Sequence, residues 1–366
     1  MTTLGSLIFY LVSFTLSSLL IYFAQFFRKK IKPIYILLVI LGLSIPFVIS
    51  GFRYGVGTDF FNYLGIYFRN INVSFKDYIT DGNYELGFFL IMKVASFFNN
   101  DQLIFVISSF IILIFIYLSI EDNRENSSIL LSYLIYIFVF FPISFNIIRQ
   151  SIAISIILFA YKYIFKKDFK RFLILVTFAS LFHITALLVI PVYFLFNYGD
   201  NTHKKPKKIY RSIFIIFVLV VSIFYEEFIN ILSNLKVFAR YDIYAAEIEF
   251  GLNREFILKF LIFIVIMIFF RKKLIKINMR NEFYIYALII DLIITYIGFF
   301  NPFVKRIALY FSVTSIFLLP SLLNIFKNRI EKFVAGWLLL IYAYGYFVIV
   351  YYILGYANVI PYRFSF

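Results

Sequence analysis

Cysteine is absent from the sequence, which excludes disulfides, thiolate metal sites and a cysteine nucleophile. Histidine occurs only twice, and one of the two, His203, lies in a charged loop, so a multi-histidine metal centre is not to be expected. Acidic residues are few, 19 against 35 Lys and Arg. No Walker loop, GxSxG elbow or HExxH helix occurs. Without a nucleotide site, the energy for any reaction comes from an activated substrate or an ion gradient. Internal repeats, low-complexity linkers and a separate soluble domain are also missing, so residues 1–366 form a single polytopic domain.

What remains is apolar. Hydrophobic residues make up 63% of the chain and the mean hydropathy is +0.92, more than a soluble domain can hide. Aromatics reach 23%, with 52 Phe and 30 Tyr, suited to interfacial belts and inter-helix space. The net charge of +16 comes from short basic clusters between apolar runs. That is the positive-inside pattern of a membrane protein and not a nucleic-acid surface. The N-terminus lacks a basic n-region and a small-residue cleavage site, so Leu4–Phe27 reads as a retained helix.

The fold class is therefore all-α, a polytopic integral membrane protein of about twelve transmembrane helices. Expected spans are 4–27, 34–50, 103–120, 129–145, 151–165, 172–196, 209–225, 256–270, 283–300, 307–326 and 333–354, with the shorter 84–98 stretch in addition. Basic loops at Arg28–Lys32, Lys204–Lys208, Arg271–Lys273 and Lys327–Lys332 mark the inside and put both termini outside. If Tyr84–Phe98 crosses fully and Phe172–Phe196 crosses once, the cluster Lys166–Arg171 falls outside; if Tyr84–Phe98 is re-entrant or a short helix and Phe172–Phe196 is a hairpin, it falls inside and obeys the same rule, which favours the second arrangement. Arms of about 12 residues are short for spans and tolerable only where buried in protein or lining a cavity. That arrangement brings Arg53, Asp59, Arg149 and His183 to one outer face.

Polar chemistry gathers at a few places, each a functional-site hypothesis in so apolar a chain. Gly51–Phe60 packs Arg53, Gly55, Gly57, Thr58 and Asp59 at the end of a span. Glycines there let a ligand approach the main chain, and an arginine offers a planar fork of donors to phosphate oxygens. Arg149, in Asn146–Gln150, and Arg306 also fall on the outer face, where positive charge is disfavoured. An anionic ligand such as a lipid diphosphate explains all three arginines; snorkelling to headgroups is the plainer reading of each alone. His183 is the natural proton carrier at neutral pH, with Asp59 and Glu85 as partner or alternative base, although a lone buried histidine is more often structural. Asp291, mid-span, reads as structural or ion-coupling, paired with Lys93 or a tyrosine.

In order along the chain, Arg53–Asp59 with Tyr63 following, Tyr84–Phe88, Asn146–Gln150, Phe182-His183, Arg306–Phe311 and Pro361-Tyr362 resemble the EpsG family of bacterial exopolysaccharide proteins, related to Wzy-type polysaccharide polymerases. The pieces span almost the full length; Phe60 replaces the tyrosine usual after the aspartate. The resemblance implies a metal-independent membrane glycosyltransferase fold without cofactors, in the bacterial cytoplasmic membrane. It implies polymerisation of undecaprenyl-diphosphate-linked oligosaccharides at the outer face, as capsule, O-antigen or exopolysaccharide, with a chain-length regulator as a further partner. His183, Asp59 and Glu85 are the expected catalytic groups. Arg53, Arg149, Gln150, Arg306, Tyr310, Asn146 and Tyr84 are the expected substrate-binding ones. The rival readings are a flippase or transporter of the same lipid-linked sugars, a membrane acyltransferase, and an assembly subunit of an export complex.

Overall fold

Thr3–Phe27 (α1) and Lys32–Gly51 (α2) form a helical hairpin in which a proline dictates a contact. Pro46 lies inside α2 and has no N–H, so the carbonyl of Gly42 one turn earlier loses its intrahelical partner. Ser17 Oγ of α1 donates to that carbonyl at 2.6 Å and also meets the Tyr133 hydroxyl at 2.9 Å. Gly42 permits the approach, since a Cβ there would stand 2.9 Å from the Ile21 side chain. The computed structural model describes residues 1–80, 85–196, 254–298 and 302–365, and among these it is all-helical, with no strand.

The remaining helices are α3 (Phe60–Asn70), α4 (Phe75–Thr80), α5 (Leu86–Phe97), α6 (Leu103–Asp122), α7 (Ile129–Ile135), α8 (Ile148–Ala160), α9 (Lys162–Phe165), α10 (Phe169–Ser180) and α11 (Ile190–Phe196). Beyond the next gap come α12 (Arg254–Val265), α13 (Arg271–Ile277), α14 (Arg280–Ile297), α15 (Pro302–Ser312), α16 (Ser315–Ser321) and α17 (Arg329–Tyr346). Among the described residues, five helical stretches are long and apolar enough to cross a membrane, or six if the pair α15/α16, bent by 43°, counts as one. The expected dozen is thus met only in part. Leu86–Phe97 is too short to pass that test, 129–145 is broken into α, π and 3-10 turns, and the expected span 209–225 lies outside the described residues. Outward residues such as Val12, Leu37, Ile40, Leu338 and Ile341 are exposed and apolar, a surface that suits lipid and not water.

The 172–196 stretch is a hairpin, the arrangement that the charge pattern favours over a single crossing. α10 ends at Ser180, a 3-10 turn covers Ile184–Val189, and α11 returns beside the start of α10. Phe169 meets Tyr193 at 4.9 Å and Phe194 at 5.3 Å between ring centroids. The turn therefore lies at one end of the bundle and Lys166–Arg171 at the other. At that second end Arg28 pairs with Glu121 at 2.6 Å, and Asp122 takes Arg280 at 3.2 Å and Lys166 at 3.9 Å. The basic clusters 28–32 and 166–171 thus share an end, because α6 starts beside the end of α2, where Gln102 Nε2 donates to the Gly51 carbonyl, and the 84–98 stretch between them adds no crossing.

The first end is tied together by the tail. Tyr362 donates its backbone N–H to Ser6 Oγ at 2.9 Å and its hydroxyl to the Ile49 carbonyl at 2.9 Å, and Tyr10 donates to the Val359 carbonyl at 3.0 Å. Gly57 N–H bonds the Asn358 carbonyl at 3.0 Å. Gly57 has φ +96°, and a Cβ on it would lie 2.6 Å from Asn146 Oδ1 and 3.1 Å from the Phe145 carbonyl. Gly55 has φ +61° but faces only the Phe61 ring at 3.5 Å. Gly57→Ala is expected to cost about 3 kcal/mol, from backbone strain plus the clash, and Gly55→Ala about 1 kcal/mol. Thermal unfolding of the two purified variants in detergent checks the order; equal losses would show that the packing against Asn146 does not matter.

Candidate active site

Glu85 is the centre of the site. It stands at the N-terminal boundary of α5, where its carbonyl accepts from the Phe88 and Phe89 N–H groups, both at 3.2 Å. Gly87 N–H bonds the Leu181 carbonyl at 2.8 Å, and a Cβ on Gly87 would stand 2.8 Å from the Phe182 ring. A glycine at this position therefore lets the start of α5 lie directly on the turn of the α10–α11 hairpin. That contact delivers Glu85, only 3% exposed, to the residue that follows Phe182.

That residue is His183. Its Nδ1 lies 2.8 Å from Glu85 Oε1, while Glu85 Oε2 accepts a hydrogen bond from Arg149 Nη1. One buried carboxylate thus bridges a histidine and an arginine. An ionised carboxylate accepts and cannot donate, so the Nδ1–H tautomer is the one that satisfies the pair, leaving Nε2 as the free lone pair of the imidazole. The same carboxylate stabilises the imidazolium that forms when Nε2 takes a proton. Arg149 occupies the first turn of α8, the end of a helix dipole that disfavours a cation. Glu85 offsets that cost. The Arg149 side chain is still 30% exposed, so part of its fork faces outward from the pair.

Two groups border this cluster. The Phe88 ring lies 5.9 Å from the Arg149 guanidinium carbon and stands edge-on to Tyr63 at 5.6 Å. Tyr63, 5% exposed, sits near both Arg149 and Asp59; burial pushes its phenol up, with the Arg149 charge opposing and the Asp59 charge adding. It stays protonated at neutral pH. Asp59 is half-buried at the start of α3, with its Oδ1 held by Asn62 Nδ2 at 3.2 Å. Phe60, Tyr63 and Tyr67 share the buried face of α3, a helical period visible in the sequence, yet Tyr63 was not among the expected site residues.

The other expected residues divide differently. Arg306 is exposed on α15; its carbonyl accepts from Gln150 Nε2 at 2.7 Å, so Gln150, next to Arg149, fastens α15 to α8. Tyr310 is fully buried. Its hydroxyl meets Thr185 Oγ1 at 3.1 Å, and its carbonyl accepts from the Tyr161 hydroxyl at 3.0 Å. Gln150 and Tyr310 therefore hold elements together. Asn146, 8% exposed, donates to the Ala357 carbonyl at 3.1 Å and anchors the tail. Tyr84 lies outside the described residues. The expected Lys93–Asp291 pairing does not form: Lys93 Nζ caps the Asn70 and Ile71 carbonyls at 3.3 and 2.8 Å, and Asp291 accepts from Thr295 Oγ1 at 3.1 Å.

Arg53 is the largest correction. It is 1% exposed. Its Nη1 donates to the Ser50 carbonyl and to Ser50 Oγ at 3.2 Å, Nε to the Val56 carbonyl at 3.1 Å and Nη2 to the Phe145 carbonyl at 3.1 Å. The Phe105 and Phe145 rings each lie 4.6 Å from its guanidinium carbon. Burial lowers its pKa to about 10, which still leaves it charged at neutral pH. A guanidinium spent on main-chain carbonyls between two rings is a helix cap and has no open fork for a diphosphate. Sequence alone could not tell it from Arg149, because both are arginines at span ends.

Among the described residues no cluster of His, Asp and Glu could hold a metal. The fold and site thus define a polytopic helical protein in which a carboxylate, a histidine and a partly exposed arginine meet at one end of the bundle. The chain belongs to the EpsG family, whose family model matches residues 35–364, the family of Wzy-type polysaccharide polymerases. No curated protein and no solved structure matches it. Arg53→Ala is expected to cost about 3 kcal/mol or more, because three carbonyls lose buried donors, and Arg53→Lys to rescue little of it. Arg149→Ala should melt closer to wild type. Melting curves with size-exclusion profiles test this, and the reverse order would overturn the assignment of the two arginines.

Proposed function

We propose that the chain is a glycosyltransferase that polymerises polyprenyl-diphosphate-linked oligosaccharides at the outer face of the bacterial cytoplasmic membrane, both termini being outside. The observation that carries this reading is the Glu85 carboxylate shared between His183 and Arg149. Membership of the EpsG family supports a polymerase role in general. The basic clusters at the far end of the bundle support the sidedness, by the positive-inside rule.

In this mechanism the open part of the Arg149 fork, with Arg306 on neighbouring α15, binds the donor diphosphate. Polyprenyl diphosphate, of which undecaprenyl diphosphate is the bacterial form, suits these cations because arginine forks match phosphate oxygens. His183 Nε2 takes the proton of an acceptor sugar hydroxyl. The hydroxyl oxygen forms a bond to the anomeric carbon of the donor as the bond from that carbon to the diphosphate oxygen breaks. The electron pair leaves with the diphosphate, and Arg149 stabilises the charge that develops there. Glu85 keeps the imidazole in the required tautomer and stabilises its protonated form. Asp59, one helical turn from Tyr63, is the second carboxylate at the site. No nucleotide is consumed, because the sugar–diphosphate bond carries the energy.

The test is to incubate the purified protein in lipid with a polyprenyl-diphosphate-linked repeat unit and resolve the products on a gel. A ladder of lengthened chains is expected. Arg149→Ala should abolish it, and His183→Ala should slow it by about 10²–10⁴-fold, the usual contribution of a general base. A folded wild-type protein that moves the substrate across the bilayer without lengthening it would instead establish a transporter.

A further inference from the structure

A second site with polar groups lies within the bundle, between α12, α14, α15/α16 and the π segments that follow α7 and α17. Its cavity is lined mostly by aliphatic and aromatic side chains, among which stand Asp291 of α14, Ser312 and Ser315 on either side of the α15/α16 break, and Tyr346 and Tyr351. Asp291 is 1% exposed and Ser312 2%. A carboxylate buried among membrane helices is costly and marks function by default.

The backbone around this cavity is irregular on three sides. Tyr136–Phe140 and Phe347–Ile353 are π-helical, and α15/α16 bends by 43° at its break. Each of the three segments contributes wall residues. The Tyr351 hydroxyl donates to the Val139 carbonyl at 2.6 Å, joining the two π segments. π-Bulges concentrate at functional sites, and non-helical backbone at membrane depth is tolerated where it is buried or lines a polar cavity. An adjoining cavity shares Phe140, Ile143 and Leu309 with the first and reaches Ser151, two residues from Arg149 on α8. The two cavities are thus neighbours that share a wall.

The chemistry of the lining selects the ligand. Among the described lining residues there is a carboxylate but no lysine or arginine, which disfavours a diphosphate. A buried carboxylate with serine hydroxyls also disfavours a hydrocarbon chain. Carboxylate and hydroxyl acceptors beside tyrosine rings suit a polyhydroxylated ring with apolar C–H faces. We propose that this cavity is a saccharide subsite that holds a sugar of the acceptor chain, with Asp291 accepting hydrogen bonds from its hydroxyls. The proposal rests on the polymerase reading for the word acceptor, but not for the binding of sugar.

The experiment uses full-length protein in detergent or nanodiscs, with Asp291→Asn and the milder Tyr346→Phe. Oligosaccharides prepared by partial hydrolysis of the host's own exported polysaccharide, free of lipid, are titrated calorimetrically, and the ladder assay is run on the same preparations. Asp291→Asn is expected to weaken oligosaccharide binding by about tenfold or more, as loss of a hydrogen bond to a charged group does. It should raise the acceptor KM by a similar factor with the donor KM unchanged; Tyr346→Phe should act in the same direction, less strongly. Unchanged oligosaccharide affinity in both folded variants would overturn the subsite. So would a pH or sodium dependence altered in Asp291→Asn at constant affinity, which would make Asp291 an ion-coupling residue. If wild-type protein binds the oligosaccharide, loses it on Asp291→Asn and yet makes no ladder, the subsite stands and the polymerase reading fails.

Discussion

Hydrocarbon offers a backbone carbonyl no water to bond, so every break in a membrane helix must find a donor within the protein. Much of the architecture follows from meeting that demand. At the end of α2, the Tyr362 hydroxyl serves Ile49, Arg53 serves Ser50, Gln102 serves Gly51 and Ser365 N–H serves Phe52. Four orphan carbonyls, the number a helix end leaves, thus recruit the Arg53 loop, α6 and the tail. The same logic places Ser17 on the carbonyl freed by Pro46 and Tyr351 on the carbonyl at the end of a π segment.

The site is built on this frame, not on a rigid soluble scaffold. Glu85, Arg149 and His183 come from three helix boundaries, α5, α8 and the hairpin turn after α10, each a place where the regular hydrogen-bond ladder is interrupted. The interruptions that need capping also let charged side chains sit at the membrane boundary. Glu85 unites them because a carboxylate has two oxygens and here each takes a different cation or proton donor. Loss of Arg149 still leaves the carboxylate its contact with His183, whereas loss of Glu85 strands both of its partners.

Tyrosine does at this end what water does in a soluble protein. Tyr10, Tyr310, Tyr351 and Tyr362 are all nearly or fully buried, and each brings a hydroxyl to a carbonyl or side chain of a neighbouring element. The high tyrosine content, legible as interfacial belts, is therefore partly internal polar glue.

Apolar runs and charge clusters by themselves determined that this chain is a helical membrane protein, and they favoured, between two topologies, the one in which Phe172–Phe196 doubles back and Arg53, Asp59, Arg149 and His183 share one end. These are one-dimensional properties, set by local hydropathy and by the sign of each loop. Only tertiary structure decided which of two similar arginines faces outward. Arg53 points into carbonyls and aromatic rings, while Arg149 pairs with a carboxylate 64 positions away along the chain. Asn146, Gln150 and Tyr310 likewise lie beside reactive residues in sequence, yet they hold the tail and neighbouring helices. The cause is physical: an arginine or asparagine carries the same donors whether it caps a helix or grips a ligand, and what it meets depends on segments far away in the sequence.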